Sequence, residues 1–260
     1  DPIYDFEVNV GGTMNLLEAL RALPTPPSLV YTSTNKVYGN LSDISLSATR
    51  TRYEPENAWV LRSGIGEDRP LDFHSPYGCS KGAADQYVID YARSFGLPFS
   101  VFRMSCIYGP HQFGTEDQGW VAHFLRRAVD GQSITLYGDG KQVRDILFVD
   151  DLMKAFVLAE ANIDSAAGHA FNVGGGTANT VSLLELLQLI RELHGMPVDT
   201  HFEDWRPGDQ QDYVSDTSKF RKLTGWSPAV DVQEGVTRLY DWLLGQQMPA
   251  LVDAQRKAAS

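Results

Sequence analysis

Tyr77 and Lys81 stand four residues apart in Ser75-Pro76-Tyr77-Gly78-Cys79-Ser80-Lys81. On a helix that spacing puts a phenol and an ammonium on one face. A free tyrosine has a pKa of about 10 and is a poor base near neutrality. A cation beside it favours the phenolate. The pair is therefore expected to make a tyrosine that takes a proton from an alcohol or sugar hydroxyl, with Lys81 lowering its pKa. Ser75 is a good N-cap and Pro76 suits the first helical position, so a helix is predicted from here to Phe95. Gly96 supplies its left-handed end. A second pair with the same spacing, Tyr137 and Lys141, encloses Gly138 and Gly140, which break a helix there.

The elements around this helix must bring partners to Tyr77. Leu29 to Ser33 reads as a buried strand, and Thr34 leaves its C-terminal end. In doubly wound sheets ligands gather outside the carboxyl ends of the strands. Ser33 and Thr34 are thus expected to meet Tyr77 and Lys81 in one cleft, with the Thr34 hydroxyl orienting a substrate oxygen. A plain capping role is the alternative for Thr34. Arg103 follows the predicted strand from Leu97, while Arg144 and Arg206 lie in polar segments flanked by Gly or Pro. A planar guanidinium suits phosphate oxygens, though each arginine taken singly also reads as a solvated surface residue. His74 reads as structural or substrate-lining, and the six histidines show no metal-ligand spacing, so no metal is expected. Gly174-Gly175-Gly176 reads as a turn rather than a phosphate loop.

Residues 9–23 form an apolar helical stripe of Val10, Met14, Leu17 and Leu20, widened by Leu16 and Leu23. Helices are also predicted over 119–129, 150–161, 181–194, 216–224 and 231–245, and strands over 145–149 and 171–173. Residues 40–73 read as irregular, and 250–260 as a frayed tail. Strands alternating with helices predict an α/β fold with a doubly wound parallel sheet. The net charge of −11 argues against nucleic acid or an anionic membrane as partner, but leaves room for an anionic small ligand held by local arginines. No apolar run approaches ~20 residues, so no membrane span is expected. The two cysteines, Cys79 and Cys106, read as reduced thiols of an intracellular, cytoplasmic protein.

Several segments together resemble the extended short-chain dehydrogenase/reductase family of NAD-dependent nucleotide-sugar epimerases and dehydratases. They are Asn9 to Ala19, Thr32-Ser33-Thr34 with Val37-Tyr38-Gly39, Tyr77-x-x-x-Lys81, and Gly138 to Asp145. Ser33 to Gly39, Leu71 to Gly82 and Asp117 to Val121 narrow the likeness to epimerases that invert C2 of a CDP-3,6-dideoxyhexose. The resemblance implies a Rossmann-like NAD-binding domain over 1–104 and 145–177, a smaller substrate-binding domain over 105–144 and 178–248, and a tail over 249–260. It implies Tyr77, Lys81 and Thr34 as catalytic residues. Asn9, Ser33, Tyr77, Lys81, Arg103 and Cys106 would face NAD. Gln118, Tyr137, Arg144 and Arg206 would hold the nucleotide sugar, the two arginines at its diphosphate.

Asn35 and Lys36 stand where the family's dehydratases carry Asp-Glu, so elimination of water is not expected. Cys106 replaces an asparagine common in relatives. The family also carries an earlier strand, a G-x-x-G-x-x-G turn and an acidic residue for the adenosine ribose, roughly 70–80 residues that this sequence does not contain. Without them, weak NAD binding or none is the expectation. A UDP-sugar 4-epimerase and a non-catalytic sugar-nucleotide-binding fragment are the alternatives. The helices over 9–23 and 77–95 match those at family subunit interfaces, which implies a homodimer or tetramer.

Overall fold

The computed structural model describes residues 1–206 and 208–258, with side chains described through residue 246. Three parallel strands organise the first half. Leu29–Thr34 pairs with Phe99–Met104, which pairs with Ala170–Val173. Register sets Thr34 opposite Met104 and Met104 opposite Val173, so all three strands end on one side. Successive side chains alternate across a strand. Phe99 and Val101 accordingly face one helical layer, made by Gly12–Arg21 and Ser75–Phe95 with Leu17, Val88 and Ile89. Phe102 faces the other layer, with Leu152 and Ala155 of the helix Val149–Ala161. Helices on both faces of a parallel sheet make this a Rossmann-like α/β fold.

A second group of strands continues from the same ends. Cys106–Tyr108 and Asp212–Tyr213 both run parallel to Val143–Phe148, and Thr180–Ser182 lies antiparallel to it. Ile134–Tyr137 pairs with Thr200–Glu203. The largest core cluster forms here, where Phe124 and Leu125 of the helix Trp120–Val129 meet Leu186, Leu187 and Ile190 of the helix Leu183–His194. The expected domain division does not separate the cores cleanly. Phe220 and Trp226, assigned to the second domain, pack with Phe102 and Phe171 on the first sheet.

Local differences from the sequence reading have physical reasons. Helical backbone begins at Pro2 and reaches Arg21 through a π-helical stretch, Phe6–Gly11. Leu17 and Val10 are buried, but Leu16 and Leu23 face solvent, so the apolar stripe is narrower than the sequence suggests. The stretch over 40–73 is not irregular throughout. It holds the hairpin Leu46–Ala48 with Tyr53–Pro55, and the helix Ala58–Ser63. Arg52 anchors the hairpin through two bonds to Glu185, at 2.7 and 2.5 Å. Elements of three to six residues are too short to show a period. The last helix, Val232–Ala258, includes most of the stretch expected as a tail, whose final residues Ala259 and Ser260 lie outside the described residues. Gly174 and Gly175 are more than a turn: a Cβ at the first would strike Ser215 and Asp145, and at the second the Ile146 carbonyl.

Both cysteines are free thiols. No described helix is long and apolar enough to cross a membrane, and no cluster of three metal-ligating side chains occurs among the described residues.

Candidate active site

Outside the strand ends lies a cleft of about 430 Å³, within the size range of small-molecule sites. Ser33, Thr34 and Tyr77 form one end. Thr34 closes its strand and caps the following turn, its Oγ1 accepting the Lys36 N–H at 3.2 Å. Tyr77 enters from the first turn of Ser75–Phe95. Ser75 has φ 66°, outside the helical region, and its Oγ accepts the Gly78 N–H at 3.2 Å as a capping side chain does. A Cβ at Gly82 would strike the Phe73 ring, so glycine lets the Leu71–Phe73 segment lie against this helix.

Tyr77 remains 39% exposed, with its ring against the cleft. Burial of its hydroxyl end raises the phenol above its ordinary range, the Thr34 hydroxyl opposes this, and Asp5 adds to it. The expected effect of Lys81 is not seen. Its ammonium donates to the Thr32 carbonyl at 2.5 Å and sits 4.4 Å from the Tyr31 ring centre. Four-residue spacing fixes the face on which a lysine starts, but its four-carbon stem carries the charge on to the strand. Lys81 itself is pulled down by burial.

Arg144 and Arg206 lie along the same cleft with Gln118, Tyr137 and Cys106. Arg144 is buried, bonded through Nη1 to the Val143 carbonyl, and makes no ion pair among the described residues. On the adjoining strand Asp212 is pushed up to about 7, by burial against the opposing pull of Arg144. So raised, that carboxyl offsets less of the arginine's charge than an ordinary carboxylate would. The Arg206 guanidinium stacks 3.8 Å from the Tyr137 ring centre and meets Asp117 Oδ1 at 3.2 Å. Tyr137 also bonds Glu116. Cys106 accepts the Trp120 indole N–H at 3.3 Å, and burial pushes its thiol up.

Three assigned residues, Lys81, Arg103 and Asn9, do not line the cleft. Arg103 is a correction: it is 4% exposed, bonded to both oxygens of Asp85 at 2.9 Å and to the Tyr38 hydroxyl at 3.2 Å. It pins the Tyr77 helix to the central strand and has no fork left for a cofactor. Asn9 donates to Ser80 Oγ at 3.0 Å, on the helix behind Tyr77 rather than in the cleft.

The cleft also holds groups that sequence reasoning passed over. Gln112, Gln142 and His123 line it, as do Lys36 and Asp209. Ser33 Oγ, Gln112 Oε1, His123 Nδ1 and Gln142 Oε1 are buried without a hydrogen-bond partner among the described residues. Buried polar atoms are nearly always paired. Four orphans in one cleft fit a polar ligand that completes their bonds, and Ser33 lies on the strand-end side, where the nicotinamide ribose of NAD would be held.

Residues 1–174 match the NAD dependent epimerase/dehydratase family. Over 249 residues the chain is 46% identical to CDP-paratose 2-epimerase of Salmonella typhi, spanning 93% of this chain and 72% of that protein. It is 29% identical over 243 residues to a putative UDP-glucose 4-epimerase of Methanocaldococcus jannaschii, spanning 94% and 71%. Among solved structures, UDP-glucose 4-epimerase of Thermus thermophilus in complex with NAD superposes with a TM-score of 0.79 at 33% identity, covering 94% of this chain and 72% of that one. With the match extending through two thirds of its length and the parallel sheet in place, the chain belongs to the NAD-dependent epimerase/dehydratase family.

Proposed function

We propose that the protein is an NAD-dependent nucleotide-sugar epimerase that inverts C2 of a CDP-3,6-dideoxyhexose, interconverting CDP-paratose and CDP-tyvelose. The observation that carries this reading is one cleft with a hydroxyl pair at one end, Thr34 and Tyr77, and two arginines facing the same space, Arg144 and Arg206. The 46% identity to a CDP-paratose 2-epimerase supports the choice of sugar and carbon.

NAD, when bound, supplies the acceptor and donor of hydride. Ser33, Tyr77 and Lys81 are the residues that would hold its nicotinamide ribose, with Cys106 nearby. On the sugar, Tyr77 takes the proton from the C2 hydroxyl while Thr34 fixes that oxygen by a hydrogen bond. The keto sugar turns to present its other face, and the Tyr77 oxygen returns the proton. Arg144 and Arg206 grip the diphosphate throughout, Gln118 and Tyr137 line the sugar and nucleotide, and the anchored end stays in place while the ring reorients. Asn35 and Lys36 occupy the positions after Thr34 where the family's dehydratases carry Asp-Glu, so elimination of water is not expected. Residues 1–104 and 145–177 serve the cofactor in this reading, and 105–144 with 178–248 the substrate. Joined to the family's glycine-rich NAD-binding segment and supplied with NAD, the enzyme is expected to interconvert CDP-paratose and CDP-tyvelose and to leave UDP-glucose unchanged. Turnover of UDP-glucose to UDP-galactose in place of the CDP-sugars would overturn the assignment.

A homo-oligomer completes the proposal. Ile3, Tyr4, Phe6 and Val8 on the first helical stretch, with Tyr87 and Phe95 on the Tyr77 helix, are exposed apolar side chains. Such surfaces mark association sites. Sedimentation equilibrium is expected to give a dimer or tetramer; a mass of one subunit at micromolar concentration would refute it.

A further inference from the structure

Two consecutive residues after Thr34 are tied to two consecutive residues far along the chain. Lys36 Nζ meets Asp209 Oδ1 at 3.3 Å, and Asn35 Nδ2 donates to Gln210 Oε1 at 3.0 Å. Gln210 is fully buried, and its Nε2 donates to the Gly39 carbonyl at 2.6 Å, closing the turn that Thr34 opens. On the other side, the Asp209 N–H bonds the Arg206 carbonyl at 3.2 Å. An unbroken run of bonds therefore joins the Thr34 hydroxyl, through the Lys36 N–H and ammonium and the Asp209 carboxylate, to the backbone of Arg206. Lys36 and Asp209 both line the cleft, as do the hydroxyl pair and the arginines.

We propose that Lys36 and Asp209 are a positioning pair that fixes the span between the proton-handling end of the cleft and its diphosphate-gripping end, and so selects which sugar carbon reaches Tyr77. This rests on the C2-epimerase reading. In a nucleotide sugar the diphosphate leaves from C1. C2 is bonded to C1, whereas C4 lies across the ring. With the diphosphate anchored on Arg206, the distance from that anchor to Tyr77 decides between them. This ammonium–carboxylate contact, with side chains 32% and 28% exposed, is partly shielded from water and holds that distance more firmly than a fully exposed pair would. The second tie, Asn35 to Gln210, keeps the turn from pivoting about the first.

A misplacement of about 1 Å costs on the order of 10²-fold in rate without a matching loss of binding. Lys36→Met and Asp209→Asn are each expected to lower kcat about 10²-fold. CDP, titrated calorimetrically, is expected to bind each variant with a Kd within about threefold of the wild type. The double variant is expected to lose no more than either single one, and Lys36→Arg to recover most of the rate. Rate is read on whichever hydrogen the wild type transfers. A wild type active at C4 of a UDP-sugar would refute the C2 reading, while the same variants, with UDP as the binding probe, would still decide the positioning role. Losses that multiply in the double variant, losses in Kd as large as those in kcat, or falls in melting temperature that account for the lost rate would each overturn it.

Discussion

Tyr77→Phe is expected to lower kcat by about 10²- to 10⁴-fold, the range for a lost acid–base group, with little change in Kd for CDP. The hydroxyl removed is the one facing Thr34 at the end of the cleft, and the rest of the ring, already 39% exposed, keeps its packing. The pH profile carries the same assignment. A base must be deprotonated to act. Burial raises the Tyr77 phenol, so wild-type turnover is expected to climb with pH into the alkaline range as phenolate forms. In the Phe variant the residual rate is expected to lose that climb. A variant within about threefold of the wild type, with the climb intact, would remove Tyr77 from the mechanism.

Asp85→Ala is expected to destabilise the fold by about 3–5 kcal/mol, read as a lower urea midpoint at constant m-value. The Asp85 side chain is wholly buried, and both its oxygens hold the Arg103 fork. Removing it strands a guanidinium in the core with only the Tyr38 hydroxyl as hydrogen-bond partner among the described residues. Exchanging both members together, Asp85→Leu with Arg103→Met, is expected to cost far less, since apolar replacement of a buried pair is often near neutral. Should Asp85→Ala unfold at the wild-type midpoint and instead weaken NAD binding, Arg103 would return to the cofactor site.

That contrast shows which part of the molecule could be read from residue types alone. The Tyr77 helix was legible because its signals are local: Ser75-Pro76 at one end, Gly96 at φ 65° at the other, and apolar residues between. Thr34 was legible from its place after a strand. The sequence cannot place Arg103, because an arginine at a strand end looks the same whether it meets a phosphate or Asp85. Only the packing of helix on sheet separates the two. Lys81 was placed on the right face but its charge was not, since a long side chain is directed by the carbonyl it finds, here that of Thr32. The ties from Asn35 and Lys36 to Gln210 and Asp209 bridge more than 170 positions and leave no periodic trace. The hairpin over 46–55 and the short strands at 106–108 and 180–182 are held by neighbours rather than by propensity.

The central claim is that a proton leaves the C2 oxygen to Tyr77 as hydride leaves C2. Deuterium placed at C2 of CDP-paratose tests it most directly. The account predicts a slower kcat for the C2-labelled substrate, an unlabelled rate for substrate deuterated at C4, and CDP-tyvelose that keeps its deuterium at C2 in ordinary water. Slowing by the C4 label, or loss of the C2 label to solvent, would contradict it.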